Sequence, residues 1–176
     1  MSRRSAWVAV LTLSLAVSFT MMVRMAGTWR ALISLGYPDV RWVDSETLSE
    51  WMNRTSAEEL VLVDVRTPEE QQVSHLKDAL HVNARNPDIE RLAIPASARV
   101  VVYCSIGYRS ATIIEKLQDA GIGNIYNLEG GLFEWANQGR PVYRGGQRVN
   151  EVHPYNRAWG LLLRGEYRAT ALGVGR

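Results

Sequence analysis

Residues Arg99–Ser110, RVVVYCSIGYRS, decide the fold. Val100, Val101, Val102 and Tyr103 form a β-branched and aromatic run that reads as a buried strand. The run ends on Cys104, the single cysteine of the chain. A tight segment follows, Ser105-Ile106-Gly107-Tyr108-Arg109. Ser110 to Leu117 then opens a helix with Ile113, Ile114 and Leu117 on one face. A cysteine between a strand's end and a helix's start lies among backbone N–H groups that have no helical partner. Those donors, from Ser105, Ile106, Gly107 and Tyr108, and the positive end of the helix dipole stabilise an anion. A thiol placed there favours its thiolate, the nucleophilic form. Arg109 adds a fixed positive charge. A free cysteine that ends a strand is often only a small buried hydrophobe. Here strand, cysteine, glycine turn, arginine and helix arrive together, which favours a reactive centre.

The stretch CSIGYRS resembles the active loop of the rhodanese (sulfurtransferase) family, C-x-x-G-x-R-S, at each fixed position. Four residues, Ser105 to Tyr108, separate cysteine from arginine. Tyrosine-phosphatase loops are wider by a residue, enough for a phosphate; the narrower cradle suits a sulfur atom carried on cysteine. Upstream, Leu60-Val61-Leu62-Val63-Asp64-Val65-Arg66 is a continuous apolar run of the kind found in a central parallel strand. Thr67-Pro68-Glu69-Glu70 predicts a helix start, with Thr67 as N-cap, Pro68 in the first turn and Glu70 completing a capping box. This region resembles the family's D-x-R-x-x-x-E-[aromatic]-x-x-G-H-I-x-G-A pattern through Asp64, Arg66, Glu70, His75 and Ala79. It departs at Gln71, Ser74 and Asp78. Aspartate at 78 tolerates a left-handed backbone better than most residues. Asp64, Arg66 and Glu70 are expected to be structural supports: an Arg66–Glu70 pair, and Asp64 as a carboxylate bracing the active loop. His75 is expected to be a hydrogen-bonded loop residue. Glu129-Gly130-Gly131-Leu132-Phe133-Glu134-Trp135 resembles the closing E-G-G-x-x-x-W motif, with Trp135 in the core.

Working outward, Val40–Val43 predicts a short strand, and Ser45 a helix cap before Leu48, Trp51 and Met52. Leu80–Asn83 predicts another strand, Asp88–Leu92 a helical turn, Gly121 a helix C-cap and Asn124–Leu128 a further strand. Alternating strands and helices imply an α/β fold, a parallel sheet with helices on both faces. The resemblance implies a rhodanese-like three-layer α/β/α domain with a central parallel sheet, the cysteine loop lying at the strands' C-terminal edge.

The chain's 176 residues suffice for one such domain with appendages. Its formal net charge of +2 is too weak to argue for nucleic acid. One cysteine excludes an intrachain disulfide, a CxxC pair and a cysteine-rich zinc site, and His75, His81 and His153 lack metal-ligand spacing. Neither metal nor organic cofactor is expected. Arg3 and Arg4 precede an uncharged run from Ser5 to Val23 that Arg24 closes, the pattern of an export signal. Residues 1–24 are thus a signal peptide or a membrane anchor, 25–39 a linker, 40–145 the rhodanese-like domain, and 146–176 a C-terminal extension. An uncleaved anchor, cleavage after Ser18 and a buried core helix all stay open, the export reading being favoured, with a periplasmic location expected in an undetermined orientation. Thr28–Tyr37 reads as an amphipathic connector, broken by Gly36 and Pro38. The extension is basic, with aromatics between His153 and Trp159; it is expected to dock on the domain, or else to meet a partner or membrane surface.

The resemblance implies a sulfurtransferase: Cys104 takes a sulfane sulfur from a small donor, holds it as a persulfide, and passes it to a thiol or cyanide-like acceptor. Arg109 assists an anionic substrate or braces the loop. Ser105, Ile106 and Tyr108 bring no positive charge, so thiosulfate is expected to be a poorer donor than organic persulfides. The rival reading is a rhodanese-fold module that only recognises a persulfide- or thiol-bearing partner; the complete CSIGYRS loop argues against it.

Overall fold

The computed structural model describes residues 27–55, 59–85, 87, 88, 92, 94, 95 and 97–170. The expected signal or anchor, residues 1–24, lies outside them, as does most of the predicted turn at Asp88–Leu92. Among the described residues, no helix is long and apolar enough to cross a membrane.

Five parallel strands form the central sheet: β1 (Trp42–Val43), β2 (Leu60–Asp64), β3 (Leu80–His81), β4 (Arg99–Tyr103) and β5 (Ile125–Leu128). Their order is β1-β5-β4-β2-β3, so β4 sits in the middle. It is in register with β2 from Leu60 opposite Arg99 to Asp64 opposite Tyr103. Successive side chains of a strand point to opposite faces. Accordingly Val101 and Tyr103 join one apolar cluster, while Val100, Val102 and Cys104 join the other. All five are buried, and each apolar side chain so removed from water contributes about 2 kcal/mol as an upper estimate.

Helices cover both faces. On the Cys104 side lie α1, helical over residues 27–36, and α4 (Tyr108–Asp119), through Ile33 and through Ile113, Ile114 and Leu117. On the other side lie α2 (Ser45–Arg54) and α5 (Gly131–Asn137), with Leu48, Leu132 and Trp135. The short α3 (Pro68–Val73) follows β2 and carries the full capping box: Thr67 accepts from the Glu70 N–H, and Glu70 accepts from the Thr67 N–H. Asp78 has φ 58°, the left-handed backbone its aspartate was expected to tolerate. Trp135 is buried in the core.

Three local expectations change. The N-cap of α2 is Asp44, which accepts from the Thr47 N–H at 2.7 Å, and Ser45 is the first helical residue. A carboxylate one position earlier reaches the orphan amide that Ser45 was expected to take. Residues 27–36, expected within a linker, form α1, which docks through the buried Ile33; Tyr37 beyond it hydrogen-bonds Thr112 at 2.9 Å. Strand β6 (Val142–Arg144) pairs with β7 (Gln147–Val149), so a hairpin bridges the expected boundary at 145/146. Val152 and Leu163 of the extension are fully buried in the α2–α5 cluster.

Candidate active site

Strand β4 delivers Cys104 to the sheet's C-terminal edge, and the turn to α4 wraps around its sulfur. Gly107 N–H donates to Sγ at 3.2 Å. That orientation needs φ 105° at Gly107, and a Cβ there would come within 3.1 Å of the Trp42 ring. The first N–H groups of α4 have no preceding turn to satisfy them and close the loop. Helix α4 starts at Tyr108, earlier than the predicted Ser110, so Ser110 lies inside its first turn.

Ser110 Oγ stands 3.6 Å from Sγ and donates to Asn127 Oδ1 at 2.7 Å. Asn127 Nδ2 in turn donates to the Gly107 carbonyl at 2.8 Å. A single fully buried amide on β5 thereby ties the Gly107 carbonyl to Ser110 in the first turn of α4. Sequence reading missed Asn127. Its signal was a polar side chain inside the apolar run Ile125-Tyr126-Asn127-Leu128.

Helix α5 holds the loop from the other side. Leu132 N–H donates to the Cys104 carbonyl at 2.9 Å, and Phe133 N–H to the Ser105 carbonyl at 3.1 Å. With both carbonyls engaged by the α5 N-terminus, the turn's backbone is pinned on its outer side.

The charged supports are partnered differently from expectation. Arg66 pairs with Asp64, Nη2 to Oδ2 at 2.6 Å and Nε to Oδ1 at 2.9 Å, and also donates to the Ser74 carbonyl. Asp64 Oδ2 accepts from the Tyr103 hydroxyl at 3.0 Å, which itself accepts from Leu76 N–H. Burial opposes the Arg66 charge, yet the charge and hydrogen bonds of Asp64 more than offset it and hold the guanidinium above its ordinary value. Burial, with the Asp64 charge beside it, raises Tyr103 well above the usual tyrosine range. Asp64 and Arg66 thus fasten the strand ends and the segment after α3. None of these side-chain hydrogen bonds goes to the cysteine turn.

Glu70 is the carboxylate that braces it. Arg109 binds Glu70 through two parallel hydrogen bonds, Nη1–Oε2 at 2.7 Å and Nη2–Oε1 at 2.8 Å, and Ser105 Oγ donates to Oε1 at 2.8 Å. Burial would raise the Glu70 carboxyl, but the Arg109 fork and the Arg66 charge dominate and lower it to about 2. The reason for the exchange is geometric. Two residues along an extended chain, Arg66 folds back on Asp64, leaving Glu70 on α3 facing the turn. Arg109 is further covered by the Tyr155 ring, 4.6 Å from its guanidinium carbon. His75, as a loop residue, exchanges backbone hydrogen bonds with Tyr143 and sets Nδ1 2.8 Å from the Leu76 carbonyl.

Cys104, Ser105, Ile106, Tyr108 and Arg109 line a pocket of about 600 Å³, which α1 and the C-terminal extension complete. Gly107 lies behind it, against Trp42. Among the described residues, no group of three or more His, Cys, Asp or Glu is placed to hold a metal ion.

A sequence model of the family described as "Rhodanese-like domain" matches residues 46–138. A sulfurtransferase of Allochromatium vinosum is 38% identical over 103 residues, covering 58% of this chain and 94% of that protein. A probable adenylyltransferase/sulfurtransferase of Mycobacterium tuberculosis is 31% identical over 96 residues, 53% of this chain but only 24% of the relative. Among solved structures, a thiosulfate sulfurtransferase of Pseudomonas aeruginosa superposes with a TM-score of 0.55 at 23% identity, over 66% of this chain and 22% of that one, a likeness of fold.

Proposed function

This chain belongs to the rhodanese-like domain family, and from that premise we propose that it is a sulfurtransferase carrying sulfur as a persulfide on Cys104. The supporting observation is the amide of Gly107 aimed at Sγ inside a turn held by Asn127, α5 and the Glu70–Arg109 fork. Such a turn stabilises a sulfur anion with dipoles already in place, before and after the chemistry.

The Cys104 thiolate attacks the outer, sulfane sulfur of a donor. The donor's bond to that sulfur breaks, and its electron pair departs with the leaving group, a thiolate when the donor is a persulfide. The transferred sulfur stays as a persulfide on Sγ. An acceptor nucleophile, a thiolate or cyanide, attacks the terminal sulfur and restores the Cys104 thiolate. Cys104 has no second cysteine in the chain, so the sulfur leaves only to an external acceptor. Arg109 acts here as a brace, its charge engaged by Glu70. We also propose that residues 5–23 direct export or anchor the chain, which would place the domain in the periplasm.

After incubation with an organic persulfide, intact mass should show one added sulfur atom, removed by cyanide with release of thiocyanate. Cys104→Ser should show neither the added mass nor turnover, since a hydroxyl is a poor nucleophile towards sulfane sulfur. Normal sulfur transfer by Cys104→Ser would overturn the proposal.

A further inference from the structure

The pocket over Cys104 is walled by parts of the chain outside the 46–138 family match. From one side α1 contributes Trp29 and Leu32; from the other the extension contributes Tyr155 and Trp159. The Trp29 and Trp159 rings meet edge to face, with centroids 5.1 Å apart, so the two walls join. Both walls are fastened to the domain. Arg30 of α1 pairs with Glu129 at 2.9 Å, and Ile33 of the same helix is buried against the domain. Val152 and Leu163 anchor the extension on either side of its aromatic pair. Tyr155 holds φ 63°, a left-handed backbone that is costly for a bulky residue, while its ring lies over Arg109. Arg109 is the one cation among the described residues lining the pocket, and Glu70 already engages it through two parallel hydrogen bonds. Large apolar side chains, Leu32 and Tyr108, remain more than half exposed at the lining.

We propose that the sulfur donor of Cys104 carries an aromatic or comparably bulky apolar body, seated between α1 and the extension while its sulfane sulfur reaches Sγ. The inference rests on the sulfurtransferase reading. A volume of about 600 Å³ is that of a site for an organic molecule. A small inorganic dianion would leave the aromatic walls uncovered and would meet no uncommitted positive charge there.

The test compares benzenethiosulfonate with methanethiosulfonate as donors to the full chain, with cyanide as acceptor and thiocyanate as readout. Both donors carry one negative charge and the same outer sulfur. In each, the Cys104 thiolate attacks that sulfur, the S–S bond breaks, and the sulfinate leaves with the electron pair. Cyanide then removes the sulfur as thiocyanate and regenerates the thiolate. The aromatic donor should have kcat/KM higher by about tenfold or more, mostly through a lower KM. Trp159→Ala and Leu32→Asn should each reduce that ratio at least about threefold by raising KM for the aromatic donor. Equal kcat/KM for the two donors, or a ratio that neither variant changes, would overturn the inference while leaving the sulfurtransferase reading standing. Failure of both donors to load sulfur on Cys104 would instead overturn that underlying reading.

Discussion

Glu70 serves two structures with one carboxylate: it caps α3 at the Thr67 N–H and holds Arg109 and Ser105 of the cysteine turn. Two parallel hydrogen bonds to a guanidinium fix orientation as well as charge. Removing the carboxylate charge leaves Arg109 largely buried without its counter-ion, so Glu70→Gln should lose about 2–3 kcal/mol at neutral pH, read by chemical denaturation. Its sulfur transfer should fall about tenfold as the turn slackens. The pH dependence has a definite sign. The folded-state carboxyl is held down at about 2, from an ordinary value of 4.5, so its contribution is complete above about 4.5 and is lost as pH falls towards 2. Wild-type stability should therefore decline more steeply between pH 4.5 and 2 than that of Glu70→Gln. Parallel acid profiles would show that the pair contributes nothing there.

At the scale of elements, the turn depends on how closely α5 approaches it. Gly131 has φ 57°, and a Cβ built on it would lie 2.5 Å from the Cys104 carbonyl oxygen and 2.7 Å from the Ile106 nitrogen. Both obstacles are backbone atoms and cannot swing aside. Gly131→Ala must move α5 or the cysteine turn, breaking the Leu132 and Phe133 hydrogen bonds to its carbonyls. Destabilisation of at least about 2 kcal/mol is expected, with Tm lowered by about 5 °C or more and sulfur loading slowed. An unchanged Tm and unchanged loading would mean that the close approach is not required. Asn127 is the counterpart on β5, satisfying the turn's Gly107 carbonyl and Ser110 together.

For the whole molecule, α1 and the extension are parts of the folded unit, and the proposed export segment precedes both. A chain lacking residues 1–26 should be soluble and folded and should load sulfur. A chain lacking residues 1–39 removes the buried Ile33 and the Trp29 wall, so it should melt earlier and lose any preference for an aromatic donor. Insolubility of the shorter deletion, with the full chain well behaved, would make residues 1–26 part of the fold and sink the export reading.

By itself the sequence determined whatever is written within a few residues. The CSIGYRS turn, the Thr67–Glu70 capping box, the left-handed Asp78 and the apolar β4 run follow from local stereochemistry and the two-residue period of a strand. The alternation of strands and helices, with the continuous apolar run of β2, then carried the parallel sheet. Tertiary structure alone decided which arginine met which carboxylate, because Glu70 and Arg109 stand 39 residues apart while Arg66 is taken by its near neighbour Asp64. It also decided that residues 27–36 and the extension close an aromatic pocket over Cys104. Trp29 and Trp159 come from opposite ends of the chain, and no periodicity in either segment encodes their meeting. The physical reason is reach: local hydrogen bonds are chosen by neighbours along the chain, whereas side chains far apart in sequence meet only after the sheet has fixed where each element starts and ends.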